Sequence, residues 1–233
     1  MFYFSASAFL ASIVALPAVV LAQWPNMGPT GFNITRVDVA GNGCTPESTS
    51  YVMNADKNAI TAVFSNGYWV ETGLGIALNQ TRRGCRLTLN TEMPHGWRFG
   101  LLSVDYTTYY RLDAKITADQ QATYYFKGVL EQGTTRSTFI GPMAPREYTF
   151  HDQYDFGFPI ESPCNTTSVV WYMQSDIRVG NARNAEGTGR IGSDTWSGVG
   201  QPPDTQTGIS KHYRIVSLAQ LYSQTYNLYW VKC

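Results

Sequence analysis

The stretch Gly187 to Trp196 reads GTGRIGSDTW, and its first six residues fit G-x-G-x-x-G, the glycine spacing that can cradle the pyrophosphate of a dinucleotide. That chemistry needs a helix leaving the glycines, whose free amide groups and dipole hold the phosphates. Here SDTWSGVGQPPD follows, and Gly198, Gly200, Pro202 and Pro203 cannot sustain a helix. The glycines are read instead as a turn, with Ile191 or Trp196 packing back onto the core. No cofactor is expected.

Other candidate chemistries fail on spacing. The histidines His95, His151 and His212 are too scattered for any local metal motif, so hydrogen-bonded or solvated rings are expected, and no metal site is assigned. A copper site built on a free N-terminal histidine is excluded if cleavage leaves Gln23 first. The acidic set Asp152, Asp155 and Asp194 does not form a D-x-D-x-D-G calcium loop. There is no G-x-S-x-G elbow and no cysteine outside an even set, so no catalytic nucleophile is assigned. Glycoside hydrolysis needs only two carboxylates at a suitable separation, for which Asp105, Asp113, Asp152, Asp155 and Asp176 are candidates. Turn and strand-end roles on a solvated surface explain them better than catalysis does.

The aromatic residues are more informative. Fifteen Tyr, eleven Phe and six Trp make 14% of the chain, and runs such as Tyr109-Tyr110 and Tyr124-Tyr125-Phe126 must send adjacent rings to opposite faces of a strand. One ring of each pair belongs to a core and the other to a surface. An exposed ring there can stack on a sugar or pack in an interface.

The elements that would position these residues belong to a secreted chain. The first 22 residues carry no charged side chain and end in Val20-Leu21-Ala22 before Gln23, the pattern of a signal peptide over residues 1–22. A single domain is expected over residues 23–233, with no membrane anchor after cleavage. The sequons at Asn33, Asn79 and Asn165 suit glycosylation of surface segments. Cys44, Cys85, Cys164 and Cys233 read as two disulfides in an oxidising compartment. Three connectivities are possible, and nearest pairing, Cys44 with Cys85 and Cys164 with Cys233, is preferred. Lys plus Arg equals Asp plus Glu at 17 each, and this neutrality argues against a nucleic-acid partner and against attraction to acidic membranes.

Short alternating runs rich in aromatic and β-branched residues, separated by Gly, Pro, Asn and Asp, predict an all-β chain. NITRVDVAG is one strand, and SYVMNADKNAITAVF is two strands around an Asp56 to Asn58 turn. In CRLTLNTEM, Leu87 and Leu89 share one face while Thr88 and Asn90 share the other. WRFGLLSVDY, TYYRLDAKI, QATYYFKGVL, STFIG, EYTFHDQY, SVVWYMQSDIRV, HYRIVSL and YNLYWVKC complete the set, and SLAQLYSQTY near Ser217 is a strand or a short helix. About ten strands suggest a disulfide-bonded, jelly-roll-like sandwich of two antiparallel sheets. The Gly-, Asn- and Thr-rich stretch from Gly180 to Lys211 is expected as a long exposed connection, with a short hairpin around Gly189 to Asp194.

The order of motifs is itself informative. VAGNGCTP at Val39 to Pro46 is followed by RRGCRLTLNTEMPHGWRFGLLSVDY at Arg82 to Tyr106, TYYFKG at Thr123 to Gly128, FIGP at Phe139 to Pro142, SPC at Ser162 to Cys164 and the terminal YWVKC. This resembles the secreted, mainly fungal, domain of unknown function 4360 family, over the chain from Val39 to Cys233. The resemblance implies an extracellular, disulfide-bonded β-sandwich and no activity. The chain departs from the family pattern at Thr107-Thr108, where Arg-Gly is common, and at Glu161-Ser162-Pro163, where Trp-Ser-Pro is usual.

The expected function is that of a secreted, non-enzymatic protein of the cell surface, wall or host interface, with an extracellular glycan or protein as partner, bound through exposed aromatics. The alternative is a hydrolase or lyase acting on polysaccharide through two of the carboxylates, which requires two of them to face one groove.

Overall fold

The computed structural model describes residues 27–65, 67–154, 159–193 and 221–233. The expected signal peptide over residues 1–22, Gln23, Asp155, Asp194, Trp196, His212 and the run HYRIVSL lie outside these residues. Among the described residues, twelve strands form two sheets, and every pairing is antiparallel. One sheet has five strands in the order β1 (Asn33–Gly41), β5 (Arg82–Glu92), β10 (Ser168–Gly180), β7 (Thr117–Phe126) and β8 (Gln132–Ile140). The other has seven. It runs β2 (Thr49–Met53), β3 (Ala59–Phe64), β12 (Tyr222–Lys232), β6 (Trp97–Leu112), β11 (Gly189–Gly192) and β4 (Trp69–Thr72), with β9 (Met143–Gln153) also paired to β6. The expectation of an all-β, two-sheet antiparallel sandwich therefore describes the molecule.

Alternation places the residues. In β10 the odd positions Trp171, Met173, Ser175, Ile177 and Val179 are buried, and the even positions Tyr172, Gln174, Asp176 and Arg178 point away from the core. Leu87 and Leu89 of β5 do the same, as the alternation predicted. Between the sheets, one end of the core is a cluster of rings. Phe99 meets Phe32, Phe126 and Trp171 edge-on at centroid separations of 5.2 to 5.5 Å, and Phe32 packs against Trp230 at 4.6 Å. Each such pair adds about 0.5–1.5 kcal/mol beyond burial.

The middle of the core holds a polar network. Tyr68 donates to Ser175 Oγ at 2.6 Å, Gln224 Nε2 donates to Ser175 Oγ and to Tyr222 Oη at 2.8 Å, and Tyr226 donates to Gln224 Oε1 at 2.5 Å. Ser175 belongs to the five-stranded sheet and the rest to its partner or the approach to it, so the network ties the two sheets together. Burial pushes the hydroxyls of Tyr68, Tyr222 and Tyr226 well above the usual tyrosine range.

Two disulfides fix the ends. Cys44 is bonded to Cys85 on the inner side of β5, and Cys164, just before β10, is bonded to Cys233, just after β12. The second bridge clamps one sheet to the other.

The structure corrects two readings and decides between the alternatives of a third. WRFGLLSVDY and TYYRLDAKI are not two strands but one 16-residue strand, β6. No turn residue separates them, and Thr107-Thr108 continues the alternation. Leu102 is instead an extra residue opposite the Asn227/Leu228 register shift, a bulge that sends it outward, 49% exposed. The segment around Ile191 is neither hairpin nor exposed connection. Gly189 to Gly192 form β11, inserted between β4 and β6, with Ile191 fully buried. Its glycines serve close approach: Gly192 sits at φ 123°, and a Cβ there would lie 2.3 Å from Tyr68 O. Finally, the described part of SLAQLYSQTY enters β12 and is strand, not helix.

Candidate functional site

The register of the five-stranded sheet aligns its outward side chains in rows. Asp38, Thr88, Tyr172, Tyr125 and Gln132 form one row, and Ala40, Arg86, Gln174, Thr123 and Thr134 the next. Then come Gly84, Asp176, Gln121 and Arg136, and finally Arg82, Arg178, Asp119 and Thr138. A trough crosses these rows in two adjoining lobes of about 450 and about 280 Å3, both bounded by Arg82, Gln174 and Asp176.

Local sequence explains the depression. Gly84 has no side chain, and a Cβ there would meet Asp176 Oδ1 at 2.7 Å, so the carboxylate lies over the gap. The wall beyond β1 is built by the Asn42 to Cys44 segment. Asn42 Oδ1 accepts from Gly84 N at 2.7 Å, Gly43 N donates to Gly84 O at 3.2 Å, and the Cys44–Cys85 bridge locks that segment to β5. On the floor, Gln174 Nε2 donates to Asp176 Oδ2 at 2.8 Å.

Beyond the row of Arg86 and Gln174, the next row carries an aromatic ridge. Tyr125 and Tyr172 are stacked, with centroids 4.5 Å apart and planes 19° from parallel, and the Arg86 guanidinium lies over Tyr172 at 5.7 Å. Since β10 lies between β5 and β7, the order across the sheet is Arg86, Tyr172, Tyr125. Both rings are partly exposed, and Gln132 of β8 lies opposite Tyr125. Tyr124 and Phe126 point into the core, as the alternation of the run required.

The lining is predominantly cationic. Arg82, Arg83, Arg86, Arg136 and Arg178 face only two acids, Asp119 and Asp176, an excess of three positive charges (five minus two) in a chain whose formal net charge is zero. Arg136 is engaged with Asp119 at 3.0 Å, and Thr138 donates to the same carboxylate oxygen. Arg83 is spent on the backbone carbonyls of Asn79 and Arg82. Arg82, Arg86 and Arg178 are exposed and form no ion pair among the described residues.

The carboxylates singled out in the sequence are dispersed. Asp176 lies in the trough. Asp105 lies on the outer face of the other sheet, paired with His151 Nδ1 at 2.5 Å and accepting from Asn227 at 2.8 Å. Ser103 there accepts from Asn227 and is not bonded to the imidazole, so the group lacks a nucleophile aligned with a base. Asp152 accepts from Ser137 where β8 meets β9. Asp113 accepts from the Thr188 backbone amide and hydroxyl, which hold its pKa below the usual carboxylate range. His95 stands in the turn between β5 and β6, away from His151, and no cluster that could hold a metal ion occurs among the described residues. Asn33, Asn79 and Asn165 are all exposed, and Asn79 lies beside Arg83 at the arginine end of the trough.

Sequence reasoning missed Arg82, Arg86, Arg178, Gln121 and Gln174. Their signal was the outward alternation, even-numbered in β5 and β10 and odd-numbered in β7, of three strands that become neighbours only in the fold.

Residues 30–202 match the family model described as Domain of unknown function (DUF4360). An uncharacterized secreted protein of Arthroderma benhamiae is 31% identical over 160 residues, which cover 68% of this chain and 64% of that protein's length. The chain is accordingly a secreted, extracellular protein, and among the described residues no helix is long and apolar enough to cross a membrane. Among solved structures, a family 61 carbohydrate-binding module in complex with β-1,4-galactotriose is 8% identical, with 86% of this chain and 90% of that one covered and a TM-score of 0.25. A structure from a study of promiscuous carbohydrate-binding modules of the β-sandwich superfamily is 11% identical, covers 71% and 60%, and has a TM-score of 0.29. At such scores the likeness says nothing about which residues bind what.

Proposed function

Since the chain belongs to the domain of unknown function 4360 family, which brings no activity with it, we propose from its own geometry that it is an extracellular glycan-binding protein whose site is the outer face of the five-stranded sheet. The observation that carries this reading is the trough: open, elongated across five strands, lined by hydrogen-bonding side chains and flanked in the next row by the Tyr125–Tyr172 ridge. A sugar chain presents hydroxyls along its edges and apolar C–H faces, and such a lining can meet both. A stable protein interface has an apolar centre. This face lacks one, and the largest exposed aliphatic side chains, Leu74, Leu78 and Leu130, stand outside the trough.

The catalytic alternative is less well supported. Asp119 and Asp176 share the trough, but Asp119 is tied to Arg136 and Thr138, and the other described candidates lie elsewhere. We further propose that residues 1–22 are a removed signal peptide and that Asn33, Asn79 and Asn165 carry glycans.

The test is binding of the secreted protein to a panel of cell-wall and extracellular polysaccharides, with product analysis for chain cleavage. Tyr125→Ala and Tyr172→Ala are each expected to weaken binding by about three- to ten-fold without shortening the polymer. Retention unchanged by both substitutions would remove the ridge from the site, and released oligosaccharides would establish the hydrolase or lyase reading.

A further inference from the structure

Resting on the glycan-binding reading, we propose that the partner is an anionic polysaccharide, one bearing carboxylate, phosphate or sulfate groups, and that Arg82, Arg86 and Arg178 read its charge. Three independent features converge on this. Arg82 and Arg178 are direct cross-strand partners, an arrangement that is unfavourable for like charges unless an anion lies between them. The acid opposite Arg178 on its other side, Asp119, is already engaged by Arg136. The trough places Arg82 beside both lobes and Arg86 against the aromatic ridge, so cationic groups occur along its length.

Asp176 does not cancel this. It is the remaining acid of the trough, it lies centrally over Gly84, and its Oδ2 accepts from Gln174. A chain with anionic groups spaced along it can pair at the arginine end and at the ridge while its hydroxyls bond the Gln174–Asp176 pair between. Guanidinium forks suit this, because each presents parallel N–H donors to two oxygens of one carboxylate, phosphate or sulfate group.

Neutral glycans have nothing to offer these arginines beyond single hydroxyl bonds. The arginines are exposed, so their attraction is screened by salt.

The test compares matched probes by calorimetry at low and high salt. These are polygalacturonate against its fully methyl-esterified form, and a phosphorylated mannan and a sulfated glycan against their unsubstituted backbones. The expected result is preference for the charged member of at least one pair, weakened by NaCl, and lowered about ten-fold by Arg82→Gln or Arg178→Gln. Arg111→Gln, on the outer face of the other sheet, serves as the control and should leave binding unchanged. The responsive pair tells the source of the charge, carboxylate from phosphate or sulfate. Equal binding of neutral and charged members, insensitive to Arg82→Gln and Arg178→Gln, would overturn the inference and leave the glycan-binding reading intact. No binding to any member of either class would overturn both. A change in self-association in the arginine variants, with no change in glycan binding, would assign the face to a second copy of the chain and overturn the inference as well.

Discussion

The outer faces of the two sheets use similar residues and dispose of them differently. On the seven-stranded face the polar groups satisfy one another: Asp105 holds His151 and Asn227, Thr107 bonds Thr149, Thr61 bonds Thr225, and Arg190 lies 4.4 Å over Trp69. On the five-stranded face a glycine opens a trough, two arginines oppose each other, and among the described residues no acid within ion-pair distance answers them. On the first face the opposed arginines Arg111 and Arg190 have an acid beside them, Glu71, 3.8 Å from Arg190. The second has a disulfide behind one wall and, on the proposed reading, is arranged for a partner outside the chain.

The comparison is broken most forcefully within β10, where Trp171 and Tyr172 are neighbours with opposite duties. Trp171→Ala empties a fully buried site in the ring cluster and is expected to cost about 3–5 kcal/mol, read as a large fall in thermal midpoint. Tyr172→Ala is expected to cost under about 1 kcal/mol of stability, while losing affinity. A marked fall in stability with Tyr172→Ala would mean that the ridge is structural and that the two faces do not differ in kind.

A second prediction concerns the interior that both faces share. Because burial raises the folded-state pKa of Tyr68, Tyr222 and Tyr226, the folded chain holds these protons more tightly than the unfolded chain does. Their contribution to stability is full below the unfolded value of about 10 and is lost as pH rises beyond it. Ultraviolet titration followed alongside circular dichroism should show these phenols ionising together with loss of structure. Their reversible ionisation in a folded protein would contradict the closed network.

Much of the sandwich was legible in the sequence, because period-two alternation is a local signal. It marked the inward residues of β5 and β10, the opposed rings of Tyr124 and Tyr125, and a continuous strand grammar from Asn33 onward. What it could not supply was adjacency. The trough joins β1, β5, β10, β7 and β8, and the opposition of Arg82 and Arg178 exists only once β5 and β10 pair across 96 positions (178 minus 82). The GTGRIG glycines show the same limit from the other side: their composition is that of a loop, and only the crowding by Tyr68, Trp69 and Ile116 shows that they make room for an inserted strand. The carboxylates were visible by type, and their separation in space decided against pairing them.

The most direct measurement of the central claim is amide chemical-shift mapping of the isotopically labelled protein with the tightest-binding polysaccharide fragment from the matched panel. The account predicts that shifts concentrate at Gly84, Arg86, Tyr172, Gln174 and Asp176, with Asp105, Thr107 and His151 unmoved. Shifts centred on the Asp105–His151 face, or on the exposed Leu74 to Leu78 segment, would contradict it.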